Sequence, residues 1–131
     1  MARSERDSSL PPTRSVRTIP SVYVERLAPL LESVVARPTE DHSAAAMAQR
    51  IGVSVRHLGR LFAQHAGVTP ARYVELVRVA AAKAVLVGGC APLADVASQA
   101  GFGSAETMRR AFLRTVGVTP GAYRKRQDGD R

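Results

Sequence analysis

The sequence has 131 residues, with 19 Lys and Arg against 11 Asp and Glu for a formal net charge of +8 at pH 7, and Arg far outnumbers Lys. That length makes one domain-sized unit, or two small lobes sharing a helix, with enough apolar content for a compact core and no room for a fused sensor. The charge points to a phosphate-rich partner, while the one cysteine, Cys90, excludes an intramolecular disulfide and a zinc site built on paired thiols.

Residues 1–20 mix Ser, Arg and Pro with almost no apolar periodicity and read as a flexible basic tail. Arg3, Arg6, Arg14 and Arg17 there either add nonspecific attraction to phosphate or are simply solvated. From Val22 to Ala36, Leu27, Leu30, Leu31, Val34 and Val35 recur at helical spacing, with Pro38 just beyond the end. Pro29 inside that pattern implies either a kink or a true start near it. Ser43 then caps a short helix from Ala44 to Arg50, and Ser54 caps a helix from Val55 to His65. In the latter, Leu58, Leu61 and Phe62 face inward, which leaves Arg56, Gly59 and Arg60 on the outward surface near its N-terminus.

Thr69 and Pro70 supply a cap and a first-turn proline for a long helix running to about Val87, with Tyr73, Leu76, Val77, Ala80, Ala84 and Val85 as its apolar faces. No stretch resembles a signal peptide or a membrane span, because the longest apolar candidate, Val77 to Val87, contains Arg78 and Lys83; a cytoplasmic protein is expected. Arg78 pairs with Glu75 or packs between lobes more readily than it reaches a base. Gly88 to Ala91 ends this helix, and Pro92 opens the next, which stops at Gly101, where a left-handed φ is wanted, with Phe102 anchoring the turn. Ser104 caps a further helix in which Met108, Ala111 and Phe112 form the buried stripe, while Glu106, Arg109 and Arg110 share the opposite face. After Thr119 and Pro120 a last short helix ends in the basic run Arg124, Lys125 and Arg126, suited to backbone phosphate or solvent.

One stretch occurs twice. Ala48 to Tyr73 aligns with Ala97 to Tyr123, pairing Leu58 with Met108, Arg60 with Arg110, Phe62 with Phe112, and the Gly-Val-Thr-Pro at Gly67 with that at Gly117. The second turn is one residue longer, at Gly103. A repeat that preserves turn, cap and core positions argues for two copies of one supersecondary unit, a helix-turn-helix. Arg presents a planar fork suited to guanine O6 and N7 or to phosphate, so Arg56 and Arg60 can touch neighbouring base pairs from a helix laid in a major groove.

At these residues the sequence resembles the DNA-binding domain of the AraC/XylS family of bacterial transcription regulators. The features that carry the resemblance are Ser54 to Phe62 (SVRHLGRLF), Gly67 to Tyr73 (GVTPARY), Arg78 with Ala82 and Leu86, the AGFGS turn at Ala100 to Ser104, and the RRAF and GVTPGAYR runs up to Arg124. They cover about Leu27 to Arg124, and their wording is most similar to the branch in which this domain follows an amidotransferase-like sensing domain. The resemblance implies an all-α fold of about seven helices. It has a domain over residues 21–126, a first unit near 43–67, a linker helix near 70–87, a second unit near 92–117, and a tail at 127–131. It places the base-reading positions at Arg56, Gly59, Arg60, Ala105, Glu106, Arg109 and Arg110.

Two of those residues depart from a simple reader. Gly59 removes a side-chain contact and costs roughly 1 kcal/mol of helix propensity; it either permits close backbone approach or has no such value. Glu106 either accepts a hydrogen bond from cytosine N4 or orients Arg110 at i+4, the second role being favoured because a carboxylate near phosphate repels. Ala105 offers only apolar contact, such as to a thymine methyl.

No catalytic constellation assembles. His57 and His65 lie on the reader helix, His42 in a polar connection and Cys90 in a glycine-rich loop, without metal-ligand spacing or a phosphate-cradling loop, so neither enzyme activity nor a cofactor is expected. The aromatics are core-spaced and form no stacking surface for RNA. The rival is a protein-interaction module of the same fold, which has no need of outward arginines at matching places in two repeats. The expected partner is double-stranded DNA, with two recognition helices in successive major grooves and promoter regulation through contact with RNA polymerase or its occlusion. The linker, about 27 Å long at 1.5 Å per residue, acts as a ruler against the roughly 34 Å between such grooves.

Overall fold

A computed structural model describes residues 21–129, and the tail expected over residues 1–20 lies outside them. The described residues form seven helices and no strand: α1 (Ser21–Ala36), α2 (Ala44–Ile51), α3 (Val55–His65), α4 (Pro70–Leu86), α5 (Leu93–Ala100), α6 (Ala105–Thr115) and α7 (Pro120–Gly129). The basic C-terminal run therefore continues as helix through residues assigned from sequence to a tail.

Local chemistry accounts for most boundaries. Ser43, Ser54, Thr69 and Ser104 each accept a hydrogen bond on the side-chain oxygen from the amide three residues on, satisfying a donor that the first helical turn leaves free. Each such cap contributes about 1 kcal/mol. The exits of α2 and α5 match one another. Gly52 and Gly101 take φ of 72° and 96°, and the following amides of Val53 and Phe102 donate back to the carbonyls of Ala48 and Ala97 at 3.0 and 2.8 Å. Pro29 sits inside α1, which starts eight residues earlier at Ser21, so the proline is not the helix start. Leu27, Leu30 and Val34 are buried, but Val35 is 60% exposed; it falls about 100° around the helix from Val34 and leaves the buried stripe.

Two hydrophobic cores share one helix. The first gathers Leu27, Leu30 and Val34 of α1, Met47, Ala48 and Ile51 of α2, Leu58, Leu61 and Phe62 of α3, and Val74 of α4. The second gathers Val79, Ala82 and Leu86 of α4 with Val96, Ala97 and Ala100 of α5, Phe102, and Met108, Ala111 and Phe112 of α6. From Val74 to Val79 the buried side of α4 turns by about 140° at 100° per residue, so its two halves face different lobes. This corrects the apolar faces inferred from sequence: Ala80 and Ala84 are exposed, Leu76 is half-buried, and the deep positions are Val74, Val79, Ala82 and Leu86.

The lobes also touch directly. The Arg78 guanidinium leaves α4 and donates from Nε to the Pro38 carbonyl at 2.9 Å and from a terminal nitrogen to the Glu40 carbonyl at 3.0 Å. It packs between lobes rather than pairing with Glu75. Glu75 is engaged by Arg72 of its own helix and by Arg114 of α6, and Arg72 also donates to the Thr115 hydroxyl at 2.9 Å. The end of α6 is thereby tied to the half of α4 that belongs to the first core. His42, expected in a polar connection, is only 4% exposed. Its Nε2 donates to the Arg37 carbonyl at 2.7 Å and its Nδ1 accepts from Arg50 at 3.1 Å, which folds the α1–α2 loop onto α2.

Candidate nucleic-acid interface

Helices α3 and α6 are equivalent members of the two repeats, and each presents its first two turns outward. In α3, burial of Leu58, Leu61 and Phe62 turns Arg56 and Arg60 to solvent. Neither arginine forms a hydrogen bond or ion pair among the described residues. Gly59 lies between them, and a Cβ built there meets nothing within 4 Å, so packing does not demand a glycine. His57 packs its ring edge-on against Tyr23 with centroids 4.8 Å apart, a contact between α3 and α1 that occupies the imidazole in the scaffold.

In α6, burial of Met108, Ala111 and Phe112 exposes Glu106, Arg109 and Arg110, with Ala105 half-buried at the start. Here the charges are paired. Arg109 donates to both Glu106 oxygens at 2.9 and 2.8 Å, and Arg110 donates through Nε to one of them at 3.0 Å. The i+4 contact between Glu106 and Arg110 is thus present, and Glu106 is also held by Arg109 at i+3. These bonds, first from Arg109 and then from Arg110, hold the Glu106 carboxyl at about 2 against an ordinary 4.5, so it is ionised throughout the neutral range.

The basic C-terminal run divides. Lys125 and Arg126 are exposed on α7, whereas Arg124 is half-buried, with Nε and a terminal nitrogen enclosed and lacking a hydrogen-bond partner among the described residues. Arg124 stands in the repeat where the first unit has the core residue Val74, so its side chain is drawn toward the lobe rather than outward. Among the described residues no group of His, Cys, Asp and Glu could hold a metal ion, and no helix is long and apolar enough to cross a membrane.

Residues 47–126, which span both units and the shared helix, match the family model described as a helix-turn-helix domain. The chain belongs to that family, in its AraC/XylS branch of DNA-binding transcription regulators. It is 44% identical over 84 residues to the HTH-type transcriptional regulator Rv1931c of Mycobacterium tuberculosis, an alignment covering 64% of this chain and 32% of that protein. The chain spans about a third of the length of the curated relatives it matches. Its fold superimposes on the DNA-binding domain of the global transcriptional factor AdpA, solved in complex with a target DNA, with TM-score 0.77, 27% identity, and coverage of 81% of this chain and 96% of that one. An AraC-type regulator from Chromobacterium violaceum shares the fold at TM-score 0.70 and 24% identity, over 82% of this chain and 96% of that one. Members of the AraC/XylS branch are transcription regulators and not enzymes.

Proposed function

We propose that this chain binds duplex DNA sequence-specifically by placing α3 and α6 in successive major grooves of a promoter, as the DNA-reading part of a cytoplasmic transcription regulator. The observation that carries the reading is the exposure of two arginines on each of two equivalent helices, with Arg60 and Arg110 at the same repeat position, held by one shared helix and tied lobe to lobe. A helix N-terminus in a major groove points its first turns at base edges, which is where Arg56, Gly59 and Arg60 stand on α3 and Ala105, Glu106, Arg109 and Arg110 on α6. The DNA-bound state of the AdpA domain supports duplex DNA as the ligand. Contact with RNA polymerase, or its occlusion, is the route by which such occupancy changes transcription.

The test is selection of sites from random duplex DNA, followed by titration of the selected duplex against salt. Neutralising about six to ten phosphates gives a slope of log K against log salt of roughly −5 to −9. Arg60→Ala and Arg110→Ala each cost about 1 to 3 kcal/mol and relax preference at particular base pairs, whereas Lys125→Ala weakens all sequences alike. Binding that is insensitive to salt, with no enriched sequence, would leave the fold as a protein-interaction module.

A further inference from the structure

The two reading faces differ in charge state, and the difference follows the repeat position by position. Arg56 in α3 aligns with Glu106 in α6, Gly59 with Arg109, and Arg60 with Arg110. The first face carries two guanidinium groups without a hydrogen-bond or ion-pair partner among the described residues. The second carries two guanidinium groups joined to one carboxylate by three charge-assisted hydrogen bonds of 2.8 to 3.0 Å. Glu106 is in the first turn of its helix, where the exposed amides favour a negative charge, so the cluster is built on a site that suits the carboxylate.

A phosphate and a base pair meet these faces differently. Phosphate offers acceptors alone, so drawing Arg109 or Arg110 onto it through the Nε edge that Glu106 holds breaks a bond to that carboxylate and leaves it beside another anion. A major-groove edge that offers an exocyclic amino donor next to guanine acceptors can take both partners at once: the guanidinium goes to O6 and N7, and Glu106 receives the N4 amino group of cytosine. Among the described residues the α3 arginines have no such competitor, and they donate to phosphate or guanine without exchange.

We propose that Glu106 is a specificity-determining latch, which holds Arg109 and Arg110 away from DNA backbone and releases them to a duplex presenting an amino donor beside guanine. This rests on the reading of α6 as a DNA-facing helix. The first reader then supplies attraction and the second supplies discrimination.

The experiment compares the full chain with its Glu106→Gln and Glu106→Ala variants on two probes, the duplex enriched by selection and a random-sequence duplex of equal length. Circular dichroism first shows that helix content is unchanged, as expected for an exposed side chain. Both variants should bind the random duplex about three- to tenfold more tightly with a steeper salt dependence, because one repelling charge is gone and two cations are freed. The ratio of selected to random affinity should fall by about tenfold or more, and repeat selection with the variants should lose the preference at the amino-bearing position. A ratio within twofold of the original, or weaker binding to the random duplex, overturns the latch and leaves Glu106 as a structural orienter. Failure of the unsubstituted chain to bind either duplex at low salt overturns the underlying DNA reading instead.

Discussion

Gly101 lies against the carbonyl of Pro38: a Cβ at position 101 would fall 2.0 Å from that oxygen and 2.8 Å from Arg78 Nε. The turn of the second helix-turn-helix is therefore seated on the α1–α2 loop of the first lobe, with Arg78 bonded to the same carbonyl from α4. Three segments distant in sequence meet at one backbone oxygen.

This contact separates two glycines that perform the same local task. Gly52→Ala carries the strain of a left-handed residue, about 1 to 2 kcal/mol, with its Cβ in ordinary contact 3.5 Å from Arg26. Gly101→Ala carries that strain and must also displace backbone, adding about 1 to 3 kcal/mol. Urea unfolding should show the larger loss for Gly101→Ala, and equal losses would mean that the lobes part readily at this seat.

Gly59→Ala should act in the opposite direction on stability. Open space around the Cβ and the helix-interior position give a gain of about 1 kcal/mol, measured by thermal or urea unfolding. Affinity for the selected duplex then decides what the glycine is for: a methyl that weakens binding marks a place where backbone approaches DNA, and unchanged affinity removes Gly59 from the reading face.

Lengthening the shared helix should unfold a lobe rather than merely re-phase it. Two alanines inserted after Ala81 turn the remainder of α4 by about 200°. Ala82 and Leu86 would leave the second core while Val79 stays. The expected result is loss of helical signal with a first lobe that survives limited proteolysis; retention of full helix content with protection of only one half-site would show that the helix is a free ruler after all.

The tie between α6 and α4 should depend on pH. Hydrogen bonds from Arg114, and secondarily from Arg72, hold the Glu75 carboxyl below its ordinary 4.5 in the folded chain. A carboxyl depressed by folding stabilises the folded state above its unfolded pKa, and that contribution is lost as pH falls through the lower folded value. Glu75→Gln should therefore be less stable than the unsubstituted chain by about 1 kcal/mol at pH 7, with the gap closing as pH drops below about 4.5. A gap that persists unchanged at pH 3 would assign the effect to packing.

Much of this protein is written locally. Ser54 and Ser104 before apolar stripes at i, i+3 and i+4, and glycines at two helix exits, specify α3, α6 and both turns, because capping and helical periodicity involve residues only a few positions apart. The doubled unit and the outward arginines follow from the same spacing, and the motifs they sit in carry the resemblance to the family. The faces of α4 did not follow, since one helix serving two cores on different sides has no single stripe for periodicity to reveal. Nor did the burial of His42 in the loop, the seating of Gly101 on Pro38, the two carbonyls that Arg78 takes between the lobes or the tie of Arg114 to Glu75. Most of these join groups about 40 or more residues apart, and their energies exist only once the two lobes have docked. The sharing of Glu106 by both arginines lies between the two cases: its spacing is local, but the division of its two oxygens between competing guanidinium groups is settled by side-chain geometry in the folded helix.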